Sequence, residues 1–141
     1  MKRKTNIIIS CSFLVLFFIS LFLPVLKFSF GFELNGLYSF FANYSSIILT
    51  ESFMDYLKVM LTVISPILLV VLIIWSFRKT INTIPLVIVS LVCLTGTFSW
   101  LFRYSGIDVL QFGYYFWCLL TVGVITFNFL KIFKFKDVET L

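Results

Sequence analysis

The side chains able to do chemistry are few. Six carboxylates, three cysteines and no histidine occur in 141 residues, so the commonest general base and metal ligand is missing. Glu33, Glu51, Asp55 and Asp108 lie in two polar stretches and would form a carboxylate or cation site only if those stretches met; their spread reads as solvated loop charge and local salt bridges. Cys11, Cys93 and Cys118 contain no Cys-x-x-Cys spacing for thiol redox chemistry or zinc and read as small packing residues. The expectation is a protein with no catalytic residue, no cofactor and no metal, hence not an enzyme.

Two sets of small or polar residues recur at helical spacing inside apolar runs. Ser90, Cys93 and Thr97 follow i, i+3, i+7, and Cys118, Thr121, Ile125 and Asn128 follow i, i+3, i+7, i+10. On antiparallel helices these become facing seams that pair Thr97 with Cys118, Cys93 with Thr121 and Gly123, and Ser90 with Asn128. Small residues allow close backbone approach and hydroxyls bond across helices, so the seams are candidate helix-packing positions.

The elements that must carry these seams are membrane spans. The chain is 61% hydrophobic and 12% charged, with 19 Phe and a mean hydropathy of +1.11, far from a soluble domain. Four runs, about 7–26, 59–77, 84–102 and 114–130, are each long enough to cross roughly 30 Å of hydrocarbon as helices. The first run exceeds a signal-peptide core, and no small-x-small site follows Pro24. Pro66 interrupts the second span and frees a carbonyl, leaving a kink that neighbouring helices or the Ser65 and Thr62 hydroxyls can satisfy. Trp75, Trp100, Tyr104, Tyr114, Tyr115 and Trp117 fall near span ends, as an aromatic belt requires.

Charge gives the orientation. Lys2, Arg3 and Lys4, then Arg78 and Lys79, then Lys131, Lys134 and Lys136 all fall on one side, which the positive-inside rule makes cytoplasmic. Both termini are therefore expected inside, with outer segments 27–58 and 103–113. The net charge of +5 marks topology and implies no nucleic-acid partner.

The stretch from Pro24 to Tyr44 is neither span nor turn. Residues 27–34 alternate, with Phe28, Phe30, Phe32 and Leu34 on one face, the period of a half-buried strand. Asn35-Gly36 is a strong two-residue hairpin signal, and Leu37 to Phe41 reads as the return strand. A small extracytoplasmic β-hairpin follows, and Phe28, Phe30, Phe32, Tyr38 and Phe40 are candidate partner-binding residues.

Leu23-Pro24 closing the first span, the alternating Phe28 to Leu34 and the Gly113-Tyr114-Tyr115 entry to the last span resemble small four-span membrane proteins of low-GC bacteria. The order of spans, with a larger β-containing first outer segment, also resembles the claudin-like tetraspan arrangement, and Gly36-Leu37-Tyr38 stands where that family carries Gly-Leu-Trp. The family's first-loop cysteine pair is absent, so the resemblance implies architecture alone.

The expected fold class is an all-α membrane protein: one domain over 1–141, a four-transmembrane-helix bundle with N-in/C-in topology and a small outer hairpin between helices 1 and 2. The expected place is the cell membrane, as a multi-pass protein in contact with the lipid bilayer. The expected role is an accessory or immunity-type protein that recognises another membrane or extracytoplasmic protein or peptide. The alternative is a subunit of a small transporter or channel whose copies form a homo-oligomer.

Overall fold

The computed structural model describes residues 3–27, 33–46, 52–78, 82–103 and 110–139. Along the chain the elements are α1 (Arg3–Phe22), β1 (Pro24–Lys27), β2 (Glu33–Asn35), α2 (Gly36–Ser46), α3 (Phe53–Phe77), α4 (Thr83–Arg103) and α5 (Phe112–Glu139). Four helices are long and apolar enough to cross a membrane, over Lys4–Phe22, Phe53–Phe77, Thr83–Trp100 and Phe112–Phe133. Ring contacts of Phe17 with Trp117 and of Phe13 with Phe127 set α1 antiparallel to α5. The start of α1 and the end of α5 therefore fall at one end of the bundle, the terminal end, and the ribbon and α2 lie at the other, the cap end.

The first span is shorter than expected. Its helix stops at Phe22, and the four residues from Pro24 are strand. Proline cannot donate to a helix, and it pushes the residue before it out of the α region, so Pro24 ends the span through Leu23. At the other extreme α5 stays helical to Glu139, well past the expected end near Leu130.

The hairpin exists, but its strands are shifted. β1 pairs antiparallel with β2 through Pro24↔Asn35, Leu26↔Leu34 and Lys27↔Glu33, with an irregularity between Pro24 and Leu26. The expected turn at Asn35-Gly36 and return strand at Leu37 to Phe41 are not formed; those residues open α2 instead. Asn35 explains the change, because its side-chain Oδ1 accepts from the Tyr38 N–H at 3.0 Å and so caps the helix. Asn-Gly is equally a helix start when the residues behind it repeat at i, i+3 and i+4, as Leu37, Phe40 and Phe41 do.

A second pairing fastens the ribbon to α5. Val25, at the irregularity in β1, turns its carbonyl to the Gln111 N–H at 2.9 Å, and Leu26 forms a bridge with Leu110. Val25, Leu26, Trp100, Leu110 and Tyr114 close over this contact as a buried apolar cluster at the cap end. The larger core lies below, where Phe17, Leu69, Leu72, Leu86, Cys93 and Val124 meet at the centre of the bundle.

Helix α3 is the hub, packing on α1, α2, α4 and α5. Its closest approach is to α4 at Gly96, where an added Cβ would lie 2.3 Å from the Leu61 carbonyl oxygen and 2.7 Å from Ser65 Cβ. Gly123 on α5 is different, since a Cβ there would stand 3.6 Å from the Phe13 ring, in ordinary contact. We predict that Gly96→Ala costs about 1 to 3 kcal/mol by forcing α3 and α4 apart. Gly123→Ala should be neutral or stabilising by up to about 1 kcal/mol through helix propensity. Thermal unfolding of both variants in detergent checks the contrast, and equal melting points would refute it.

Candidate functional site

At the cap end, α2 begins where a carbon on Gly36 would lie 2.8 Å from the Ser20 carbonyl oxygen, so only glycine lets the helix start against α1. The Gly36 N–H donates to the Leu23 carbonyl at 3.1 Å. Seated this way, α2 turns Ser39 inward and Tyr38, Phe41 and Tyr44 outward, with Tyr38 64% and Tyr44 59% exposed. Of the candidate partner-binding residues, Tyr38 is thus displayed. Phe40 is half-buried and lines an internal cavity of about 20 Å³ with Val25, Pro66, Thr97, Trp100 and Tyr114. That volume holds about one water-sized group and no larger ligand. Phe28, Phe30 and Phe32 lie outside the described residues.

The cap-end charges pair off locally. Lys27 meets Glu33 at 3.5 Å and Lys58 meets Asp55 at 3.1 Å, all four half-exposed. Such surface pairs contribute little to stability, but each cancels its own charge. Asp55 is thereby taken from the helix-opening role that its spacing from Ser52 suggests; Ser52 is the N-cap of α3 with no side-chain cap bond. Among the described residues no group of three His, Cys, Asp or Glu comes together; Glu51 and Asp108 lie outside them.

Two of the seam donors bond α3. Cys93 Sγ donates to the Ser65 carbonyl of α3 at 3.5 Å, and Gly123 faces Phe13 of α1. Asn128 Nδ2 donates to the Leu72 carbonyl of α3 at 2.9 Å, so its amide is bonded to α3 and not to Ser90. The physical reason is that a helical carbonyl keeps a second lone pair, and in an apolar bundle a side-chain donor takes the nearest one, here on α3. Thr97 and Thr121 return their hydroxyls to their own helices, at Cys93 and Trp117 carbonyls. The α4 to α5 bond comes from a residue outside both seams, Tyr114, whose hydroxyl donates to the Thr97 carbonyl at 3.0 Å. Cys118 is half-buried beside the cap-end cluster, and Ser90 is buried with no partner for its hydroxyl.

Pro66 leaves the Thr62 carbonyl without its usual helical donor. Ser65 Oγ supplies one at 3.2 Å, while Thr62 Oγ1 goes to Val59.

Lys131 lies deeper than the expected span end near Leu130: it falls within α5 and is only 5% exposed. Its Nζ donates to the Ser76 carbonyl at 2.8 Å and to the Arg78 carbonyl, and sits 5.8 Å from the Phe127 ring centre. Helix α3 ends at Phe77 with open carbonyls and the negative end of its dipole. Lys131 caps that end. The signal was present as an i, i+3 spacing from Asn128, which puts both donors on one face of α5.

These features define a multi-pass membrane bundle with a structured cap at one end and a lysine-capped helix terminus at the other. Comparison with known protein families, curated proteins and solved structures finds no match to this chain.

We predict that Lys131→Met lowers stability by about 1 to 2 kcal/mol, because the α3 carbonyls lose a charged donor. Lys131→Arg should recover part of the loss. Asn128→Leu should change stability by less than about 1 kcal/mol, since it removes one bond and, with it, an unpaired buried oxygen. Urea or thermal unfolding in detergent ranks the three, and a larger loss for Asn128→Leu than for Lys131→Met would contradict the capping role.

Proposed function

We propose that the chain is a non-enzymatic integral protein of a bacterial cell membrane, of accessory or immunity type, whose outer cap recognises a protein or peptide partner. The observation that carries this reading is α2: an 11-residue helix seated against α1 at Gly36 and packed on α3, with no charged residue and with Tyr38 and Tyr44 turned away from the bundle. Exposed tyrosines on a fixed element are what a partner site requires, because they offer large contact area at little ordering cost. Phe28, Phe30 and Phe32, which follow Lys27 in the sequence, belong to the same proposal. The likeness to small four-span bacterial proteins and to claudin-like topology belongs to it as well, and bears on architecture alone.

Both termini lie in the cytoplasm in this reading. The charge balance supports it: Lys27 and Lys58 at the cap end are paired with carboxylates, whereas the Lys and Arg at the terminal end outnumber acids. In a chain with its native cysteines replaced, Tyr44→Cys should react with an impermeant maleimide on intact cells and Asn82→Cys only after permeabilisation. The reverse pattern would overturn the orientation. A photo-crosslinking amino acid at Tyr38 should give a discrete protein adduct in cells, and adducts to lipid alone would sink the recognition role.

The second reading is a subunit of an oligomeric small transporter or channel, favoured by the buried polar side chains inside the bundle, Asn128 and Lys131 among them. Flux in liposomes that disappears in Asn128→Leu would support it over recognition.

A further inference from the structure

The cations of the two ends are held differently. At the cap end Lys27 and Lys58 have carboxylates at 3.5 and 3.1 Å. At the terminal end Lys4 and Arg78 are exposed and, among the described residues, neither has a carboxylate partner. Lys131 is buried there and spends two of its donors on the Ser76 and Arg78 carbonyls.

These cations share a depth. The Phe13–Phe127 ring contact fixes a common level on α1 and α5. From it Lys4 lies about 13.5 Å toward the terminal end along α1, and on α5 Lys131 lies about 6 Å and the Lys134 and Lys136 positions about 10.5 and 13.5 Å that way. Arg78 is tied to the level of Lys131 through its carbonyl. The run of α5 long and apolar enough to span ends at Phe133, yet the helix continues through Lys134 and Lys136 to Glu139. A headgroup layer is roughly 5 to 8 Å deep on each side of the hydrocarbon, so Arg78, Lys4, Lys134 and Lys136 fall within one such layer. Asp137 and Glu139 come last, at about 15 and 18 Å, so the cations lie nearer the hydrocarbon than the acids do.

We propose that the terminal end is a docking surface for anionic phospholipid, whose phosphates pair with Lys4, Arg78 and the basic positions at the end of α5. Charge selects the occupant. An exposed cation at headgroup depth with no carboxylate beside it meets lipid phosphate, and each Lys or Arg near an anionic leaflet strengthens the association roughly five-fold. A zwitterionic headgroup brings its own ammonium and offers no net charge in return. The end of α3 would by itself oppose a phosphate at Arg78, because its last carbonyls carry the negative end of the helix dipole. Lys131 removes that obstacle, since its ammonium bonds the Ser76 and Arg78 carbonyls. At the cap end Lys27 and Lys58 already hold carboxylates, so the same lipid gains little there. The surface depends neither on which side of the membrane it faces nor on recognition by the cap.

Electron spin resonance of spin-labelled phosphatidylglycerol and phosphatidylcholine, each in phosphatidylcholine vesicles holding the full chain, reads the relative association of the two lipids with the protein. Phosphatidylglycerol should associate several-fold more strongly, and about 1 M KCl should weaken that preference. Lys4→Gln with Arg78→Gln should cut it by about half or more, whereas Lys27→Gln with Glu33→Gln should leave it unchanged. Equal association of the two lipids with the unsubstituted chain would overturn the surface, and this arm requires no variant to fold. A preference kept in Lys4→Gln with Arg78→Gln, or lost equally in the cap-end pair, would overturn its position. If inorganic phosphate abolishes the preference at an ionic strength where chloride does not, the site is one for free phosphate, and the lipid is overturned as its occupant.

Discussion

A carbonyl in hydrocarbon has no water to bond, so each break in a helix must be answered by another part of the protein. Helix α3 breaks that ladder twice, at Pro66 and at its end after Phe77, and the packing of the bundle follows from the answers. Ser65 takes the Thr62 carbonyl from within the helix. Lys131 takes the carbonyls at the end from α5. Cys93 and Asn128 add donors from α4 and α5 at intermediate levels. The hub position of α3 is thus a matter of hydrogen bonding as well as of apolar burial, since side-chain donors from α4 and α5 end on its carbonyls.

The cap depends on the same bundle through backbone contact. Gly36 and Gly113 stand where the cap crosses the ends of α1 and α5. A Cβ on Gly113 would lie 2.5 Å from the Pro24 carbonyl oxygen, as one on Gly36 would crowd Ser20. Two glycines therefore allow the ribbon to lie between helix ends with its main chain in contact on both sides. An irregular β1 then bonds β2 on one edge and Gln111 on the other. No disulfide is needed for this, because the two closures are made by backbone pairing and by the cluster around Leu26 and Trp100.

Hydropathy and length carried most of the fold: the positions of four span-length helices and the presence of a two-stranded ribbon were readable from residue type and spacing, and Ser65 was among the groups that could answer Pro66. What failed has a common cause. Asn35-Gly36 serves a hairpin turn and a helix start equally, and the tertiary seat of Gly36 against Ser20 decided between them. The seams on α4 and α5 were real periodicities, but periodicity gives a face and not its partner; the acceptors of α3 chose that. Lys131 read as a boundary charge and not as a buried one, because its i, i+3 spacing from Asn128 gives a face of α5 and not the helix end that this face meets. As for the candidate site, Tyr38 was legible as a displayed aromatic, whereas Phe40 turned inward because the period of its element is 3.6 and not 2.

The two ends of the bundle also handle charge differently, and Lys131 ties that difference to the fold. At the cap end each lysine among the described residues has a carboxylate within 4 Å, so that end presents little net charge. At the terminal end Lys131 is paired with backbone dipoles instead, which leaves its full positive charge in the count that orients a membrane protein. A carboxylate partner at Ser76 or Arg78 would bind the ammonium as well but would cancel that charge. It would also oppose the negative end of α3, where anions are disfavoured. Capping by a lysine from a neighbouring helix is therefore the arrangement that closes α3 and keeps the orienting charge together, and it accounts for a buried cation two residues from the end of the last span.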